Sequence, residues 1–497
     1  MEIVGGIVSS LSIHNLFYCF VGCVLGTLVG VLPGISPSST IAILLPLTIS
    51  FDRTGSIIML AGIFYGAMYG GSTTSILVNI PGEPASVVTC VDGFQMTRQG
   101  RAGQALWISA VSSFMAGTMG TLGISFIGPG IAKYAFKFGP PEYFGLLLFS
   151  LSIFMTLSGA SVIKGLAAGV AGMFLATVGM DPLTGTPRFH FGMIGLMRGF
   201  EMVPVMVGLF GIGEILSSAE EGLPQIFEGK LGKMMPRGAD LKIGLWASLR
   251  GSVLGFVMGL LPGINPVLTT FFSYDLEKRI SKHPEKFGTG VIEGVAGPEA
   301  ANNATAMAGF IPMMALGIPT GAALAVIMGA LMLYGLQPGP ILFIQQKELV
   351  WTVIGSMYIG NVMLLILNLP LVGLWARISL IPYKFLGPII LAICVIAAYS
   401  SRNTMFDVWV ALLFGILGYV MRKKQWPIAP LILGFILGDL FEGALRQSLS
   451  ISKSGTPIIF FQRPIALIFI ILTVIMVILT LKFLKRIPKE VLKEDKS

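Results

Sequence analysis

The residues best equipped to hold an ion are hydroxyl and amide side chains set at duplicated helix breakers. Residues 26–40 read GTLVGVLPGISPSST and residues 255–269 read GFVMGLLPGINPVLT. Gly26, Gly30, Leu32, Pro33, Gly34, Ile35, Pro37 and Thr40 recur as Gly255, Gly259, Leu261, Pro262, Gly263, Ile264, Pro266 and Thr269. No continuous helix accepts Pro-Gly-x-x-Pro, because Pro lacks the amide donor and Gly opens backbone angles other residues avoid. A break exposes helix ends, whose amides suit anions and whose carbonyls suit cations. Ser36, Ser38, Thr40, Asn265 and Thr269, with Gly34 and Gly263 at the turns, are therefore the expected cation-binding residues.

Each copy then runs into a polar patch inside apolar sequence: Ser72, Thr73 and Thr74 in one half, Asn302, Asn303 and Thr305 in the other. A second breaker follows in both, Asn79-Ile80-Pro81-Gly82-Glu83-Pro84 and Gly317-Ile318-Pro319-Thr320-Gly321. The expected substrate-binding set is the two patches together with Asn79, Pro81, Gly82, Pro319, Thr320 and Gly321. Paired Gly/Pro-interrupted hydrophobic segments in corresponding halves are the strongest sequence pointer to a transporter's binding site.

The elements that must position these residues are membrane helices. Of the 497 residues, 54% are hydrophobic and 11% charged, against about 25% charged in soluble domains. The expected fold is an all-α polytopic membrane protein with about 10–12 transmembrane segments, in two structural repeats with broken or re-entrant hairpins. Residues 1–217 form the first repeat, 218–242 a polar cytoplasmic linker, 243–421 the second repeat, and 422–497 a C-terminal helix pair and cytoplasmic tail. Met1-Glu2 supplies no basic leader region, so the first apolar stretch, 7–31, reads as a retained span. Segment 38–50 and its counterpart 267–274 are too short to cross. Parallel and inverted repeat topologies both remain open.

The formal charge of +9 lies in loop clusters at 230–242, 278–286, 422–424 and 482–493. That pattern marks cytoplasmic loops rather than a nucleic-acid surface. Cys19, Cys23, Cys90 and Cys394 show no metal-ligand spacing and read as packing residues. Glu83 and Asp92 with Arg98 and Arg101 read as a loop. Glu299, beside the Asn302-Asn303 patch, is with Glu293 a candidate proton or cation site, and Glu442 is placed to pair with Arg446 four residues on. An intramembrane aspartyl protease would need Gly-x-Gly-Asp opposite Tyr-Asp. Tyr274-Asp275 and Gly438-Asp439 are present, but Ile436 stands where the first Gly is required. No Ser/His pair, zinc spacing or phosphate loop offers another enzyme.

The stretches GVLPGISPSSTIAILLPL, FYGAMYGGSTTSILVNIPGEPASVVTCVDGFQMTRQGRAGQAL, GLLPGINP and EGVAGPEAANNATAMAGFIPMMALGIPTGAALAVIMGALMLYGLQPGP resemble the large membrane subunit of the tripartite tricarboxylate transporters, over roughly residues 15–445. The resemblance implies secondary active uptake of tricarboxylates such as citrate, or of related carboxylates. Na⁺ or H⁺ would be the coupling ion, and no cofactor is implied. It also implies two protein partners, a small membrane subunit and a periplasmic solute-binding protein, and a multi-pass place in the bacterial inner membrane with the C-terminus cytoplasmic. The alternative reading is a gradient-independent anion channel, or uptake of a different organic solute.

Overall fold

The computed structural model describes residues 2–32, 35–48, 51–135, 137–157, 161–181, 184–218, 232–236, 238–261, 263–378, 383–452 and 455–484. Pro33, Gly34, Pro262, most of the 218–242 linker and the basic tail from 485 lie outside them. The protein is all-α and polytopic: its described strands are the two-residue antiparallel pair Gly179–Met180 and Pro187–Arg188. Among the described residues six helices are long and apolar enough to cross a membrane, including Ile13–Val31, Ala102–Ala135, Ala239–Gly259 and Lys347–Asn368. Six shorter apolar helices include Pro37–Thr48 and Ala322–Leu333.

Contacts divide the chain into two compact units, Met1–Phe136 with Glu201–Val420 and Lys137–Phe200 with Met421–Ser497. The second unit packs Val162–Ala176 and Pro140–Leu157 against Ile428–Ile451. It is stitched by ion pairs of Arg188 to Glu442 at 2.7 Å and of Arg446 to Asp181 at 2.7 Å and Glu442 at 2.9 Å. The i,i+4 pair expected of Glu442 and Arg446 is thus present, within a larger network.

The first unit holds all the duplicated motifs. Its two polar helices, Arg53–Val78 and Glu293–Ala308, are encased in protein: every residue from Gly55 to Val78 and from Gly294 to Ala308 is buried. That burial is what allows Ser, Thr and Asn to sit on them, since their polar groups meet other helices rather than lipid. Each polar helix lies along a glycine stripe of its predecessor, with Gly22, Gly26 and Gly30 on Ile13–Val31 and Gly251, Gly255 and Gly259 on Ala239–Gly259. A Cβ at Gly26 would stand 2.5 Å from the Ile63 carbonyl oxygen, and one at Gly259 would stand 2.7 Å from that of Thr305. Backbone touches backbone in both halves, the close approach that small residues permit.

Both Pro-Gly sites interrupt their helices. Ile13–Val31 ends before Pro37–Thr48 begins, and Ala239–Gly259 ends before Pro266–Ile280. The second breakers also agree between halves: Arg53–Val78 is closed by Asn79 at φ 59° and Phe310–Leu316 by Gly317 at φ 73°, each followed by Ile-Pro. A left-handed residue at this place turns the chain out of the helix.

The structure corrects three readings of the sequence. Segment 7–31 is divided, because Ser12 accepts from the Asn15 amide at 3.3 Å and starts a new helix. The counterpart segment 267–274 extends to Ile280, through its charged end. The stretch with Glu83, Asp92 and Arg98, expected as loop, contains the helix Val87–Arg98, with Val88, Thr89, Asp92, Gly93 and Met96 on its buried face. Asp92 is fully buried, accepting from the amides of Gly288, Gly290 and Val291 at 2.7–3.0 Å and from the Tyr274 hydroxyl at 2.8 Å. It thereby ties a first-half helix to the entry of Glu293–Ala308.

A leucine at Gly255 would drive its side chain into the Ala301 carbonyl across the second glycine stripe. Gly255→Leu is expected to lower the apparent Tm of the detergent-solubilised protein by an overpacking cost of about 1–3 kcal/mol or more. Gly5→Leu, at an exposed helical position with nothing within 4 Å of its Cβ site, should leave the melt unchanged.

Candidate functional site

All four breaks open onto one cavity of about 160 Å³. Its wall is built from Ser36-Pro37-Ser38, Glu83-Pro84-Ala85, Asn265-Pro266-Val267 and Thr320-Gly321-Ala322, closed by Phe64, Met68, Ala306, Ala323 and Leu324. Each of the four polar runs is the amino end of a helical element: Pro37–Thr48, the 3-10 turn Pro84–Ser86 leading into Val87–Arg98, Pro266–Ile280 and Ala322–Leu333. Four positive helix ends therefore face a common space. Among the described residues the lining holds no Lys, Arg or His, and its single ionisable side chain is Glu83.

The two Pro-Gly breaks are built alike. Ser36 Oγ accepts from the Ser39 amide at 3.2 Å, and Asn265 Oδ1 accepts from the Leu268 amide at 3.1 Å, so both cap the third amide of their helix. Pro37 and Pro266 occupy the first helical position, where a missing N–H costs nothing. Thr40 Oγ1 donates to the Ser36 carbonyl and Thr269 Oγ1 to the Asn265 carbonyl, each at 3.2 Å. Gly263 takes φ 81° at its turn. The wall end of Ala322–Leu333, in contrast, starts at Gly321 with no side-chain cap.

Of the residues expected to bind cation, Ser36, Ser38 and Asn265 are on the cavity wall. Thr40, Gly263 and Thr269 lie behind it, and Gly34 is outside the described residues. Of those expected to bind substrate, Thr320 and Gly321 are on the wall. Ser72, Thr73, Thr74, Asn302, Asn303 and Thr305 are buried within the helix packing instead. Ser72 donates to the Tyr69 carbonyl at 2.9 Å and lies 2.8 Å from Ser109 Oγ. Asn303 Nδ2 donates to Ser113 Oγ at 2.8 Å, and Thr305 Oγ1 to the Gly255 carbonyl at 3.0 Å. Asn79 is an exposed helix cap, and Pro81 and Pro319 shape their turns off the wall. Gly82 sits where a Cβ would come within 2.8 Å of Gly71 Cα and Thr74 Oγ1.

Three buried carboxylates stand in or beside the cavity. Glu83 Oε1 accepts from Asn302 Nδ2 at 3.0 Å and Oε2 from the Ala85 amide at 2.8 Å. Glu299 accepts from Thr89 Oγ1 and lies 3.3 Å from Ser109 Oγ. Glu214, which the sequence reading passes over, receives the hydroxyls of Ser36, at 2.8 Å, and Ser39. It follows a π-helical turn, Val207–Ile212, that also presents the Phe210 carbonyl to Ser39 Oγ at 2.9 Å. Such turns free carbonyls from the regular ladder. The available signal was that Glu214 is the sole charge in the apolar segment 202–217. Among the described residues no group of three or more His, Cys, Asp or Glu could hold a metal ion.

The chain is similar to known proteins over most of its length. The family model described as "Tripartite tricarboxylate transporter TctA family" matches residues 16–433. An uncharacterized 52.8 kDa protein in the TAR-I ttuC′ 3′ region of Agrobacterium vitis is 46% identical over 467 residues, covering 93% of this chain and 92% of that protein. An uncharacterized protein in the TAR-II ttuC′ 3′ region of the same organism is 48% identical over 231 residues, covering 46% of this chain and 93% of its own length. No solved structure matches the chain. With the family model spanning most of its length, the chain belongs to the tripartite tricarboxylate transporter TctA family.

Proposed function

We propose that this large membrane subunit carries a carboxylate anion in the four-ended cavity by secondary active, cation-coupled transport. The observation that carries the reading is the convergence of four helix amino ends on a space without a basic side chain. Main-chain donors and helix dipoles suit an anion, and discontinuous membrane helices hold anionic solutes in this manner. Charge balance supports coupling: Glu83 on the wall and Glu214 behind it place carboxyl groups where an anion would bind. A multiply charged cargo entering there needs accompanying positive charge, which Na⁺ or H⁺ would supply.

On this reading the cargo is a tricarboxylate or related carboxylate, handed over by a periplasmic solute-binding protein, with a small membrane subunit completing the assembly in the bacterial inner membrane. The basic tail faces the cytoplasm. The two repeats each contribute one broken hairpin, and rocking or elevator-like movement of those hairpins provides alternating access.

Proteoliposomes containing the assembly and supplied with the binding protein should concentrate citrate or succinate under an imposed Na⁺ or pH gradient and lose that uptake when the gradient is collapsed. Saturation-free flux that persists without a gradient would sink the carrier in favour of a channel. Thr320→Val and Ser38→Ala, on the wall, should each weaken citrate binding about fivefold to tenfold, the worth of one hydrogen bond, without lowering the Tm. Asn303→Ala should do the reverse, lowering the Tm through loss of the Ser113 contact while leaving binding affinity near wild type.

A further inference from the structure

Glu83 presents the anion cavity with a difficulty that its surroundings do not remove. Its side chain is 4% exposed on the cavity wall. Among the described residues no cationic side chain pairs with it; its partners are the Asn302 amide and the Ala85 and Ser86 groups of its own turn.

The elements packed against that turn are Arg53–Val78, Val87–Arg98, Pro266–Ile280 and Glu293–Ala308; their cations Arg53, Arg98, Lys278 and Arg279 are all exposed, and among the described residues none pairs with Glu83. The hydroxyl of Tyr69 is bonded to Asn361 and that of Tyr65 lies against Cys19. Asp92 is occupied by amides and Tyr274. Glu277 is paired with Arg250, and Asp275 with Arg279. Cys90 is half-buried and neutral in its ordinary form. Glu299, buried three residues before Asn302 on the same helix, is another acid. Ionised, Glu83 would meet an incoming carboxylate at close range in a medium of low polarity.

Asn302 bears on which form is accommodated. Its Nδ2 donates to Glu83 Oε1, while its Oδ1 is buried without a hydrogen-bond partner among the described residues. A half-turn of the amide would exchange the two atoms at Glu83. Nδ2 serves an ionised carboxylate, and Oδ1 would accept from a protonated one. The site can therefore satisfy either state with the same neighbour.

We propose that Glu83 is the proton site of this cavity: the carboxylate cargo binds when Glu83 is protonated, and the two cross together. The proton is taken up from water with the anion and returned to water when the anion leaves. The inference rests on the anion-binding reading of the cavity.

The full-length protein in lipid nanodiscs would be titrated with succinate and with citrate by calorimetry, in buffers of different ionisation enthalpy, between about pH 6.5 and 8.5, where succinate stays largely doubly ionised. Proton uptake by wild type should rise from near zero toward one per succinate as the pH passes through the range in which unliganded Glu83 ionises, and affinity should fall about tenfold per pH unit above that range. Glu83→Gln should bind succinate with no pH dependence and no proton uptake, whereas Glu299→Gln should retain both. Wild-type binding whose affinity and proton uptake do not change anywhere in this pH range, a Glu83→Gln variant that titrates like wild type, or a folded Glu83→Gln variant that no longer binds would each overturn the assignment while leaving the anion cavity standing. If Glu83→Gln does not fold, the wild-type proton count decides alone. Absence of succinate and citrate binding to wild type at every pH overturns the cavity reading, and this inference with it.

Discussion

A helix interrupted in apolar surroundings leaves main-chain amides and carbonyls that water cannot reach, and each one left alone costs several kcal/mol. The first unit is organised around meeting that demand four times. Ser36 and Asn265 cap the helices that restart after the Pro-Gly sites. Asn79 and Gly317 turn the chain out of the polar helices in left-handed geometry. Asp92 gathers the amides that precede Glu293–Ala308. Where no side chain caps an end, as at Ala322–Leu333, the end looks into the cavity.

Two further constraints follow. Polar helices at membrane depth must be wrapped by other helices, and wrapping at backbone distance requires glycine, which is why both halves carry a stripe with four-residue spacing. The halves match closely at the breaks and diverge behind them. Ser36 and Ser39 engage Glu214 through a π-helical turn, whereas Asn265 simply caps its own helix. Duplication gave the two sides a common frame, and one side has acquired a carboxylate that its counterpart at Asn265 does not contact.

The breaks were legible because Pro and Gly act locally, their backbone limits holding whatever the tertiary context, and the all-α class because the apolar runs are long. The cavity wall was legible only in part. Ser36, Ser38, Asn265, Thr320 and Gly321 reach it because they sit at the breaks themselves. Ser72, Asn303 and Thr305 carry the same chemistry, yet helix rotation turns them toward Ser109, Ser113 and Gly255, and rotation is a property of packing that one strand of sequence does not report. The helix Val87–Arg98 was hidden because its inward face carries Thr89, Asp92 and Gly93, which an apolar periodicity cannot register. Glu214 escaped because its partners lie some 175 residues away along the chain.

The wall divides into two kinds of material: main-chain helix ends at the corners, and between them the side chains of Phe64, Met68, Ala306 and Leu324. Helix ends answer to negative charge and are indifferent to the rest of a molecule, so on the proposed anion reading discrimination among acids of different length and bulk would fall chiefly to such apolar side chains. None of them is a breaker, a cap or a member of a glycine stripe. Exchanging a phenylalanine for a smaller residue there would reshape the space without unsettling the frame. On that reading a lineage could diversify its cargo by a few wall substitutions while its duplicated motifs stayed fixed, and the motifs would then be silent about the individual acid.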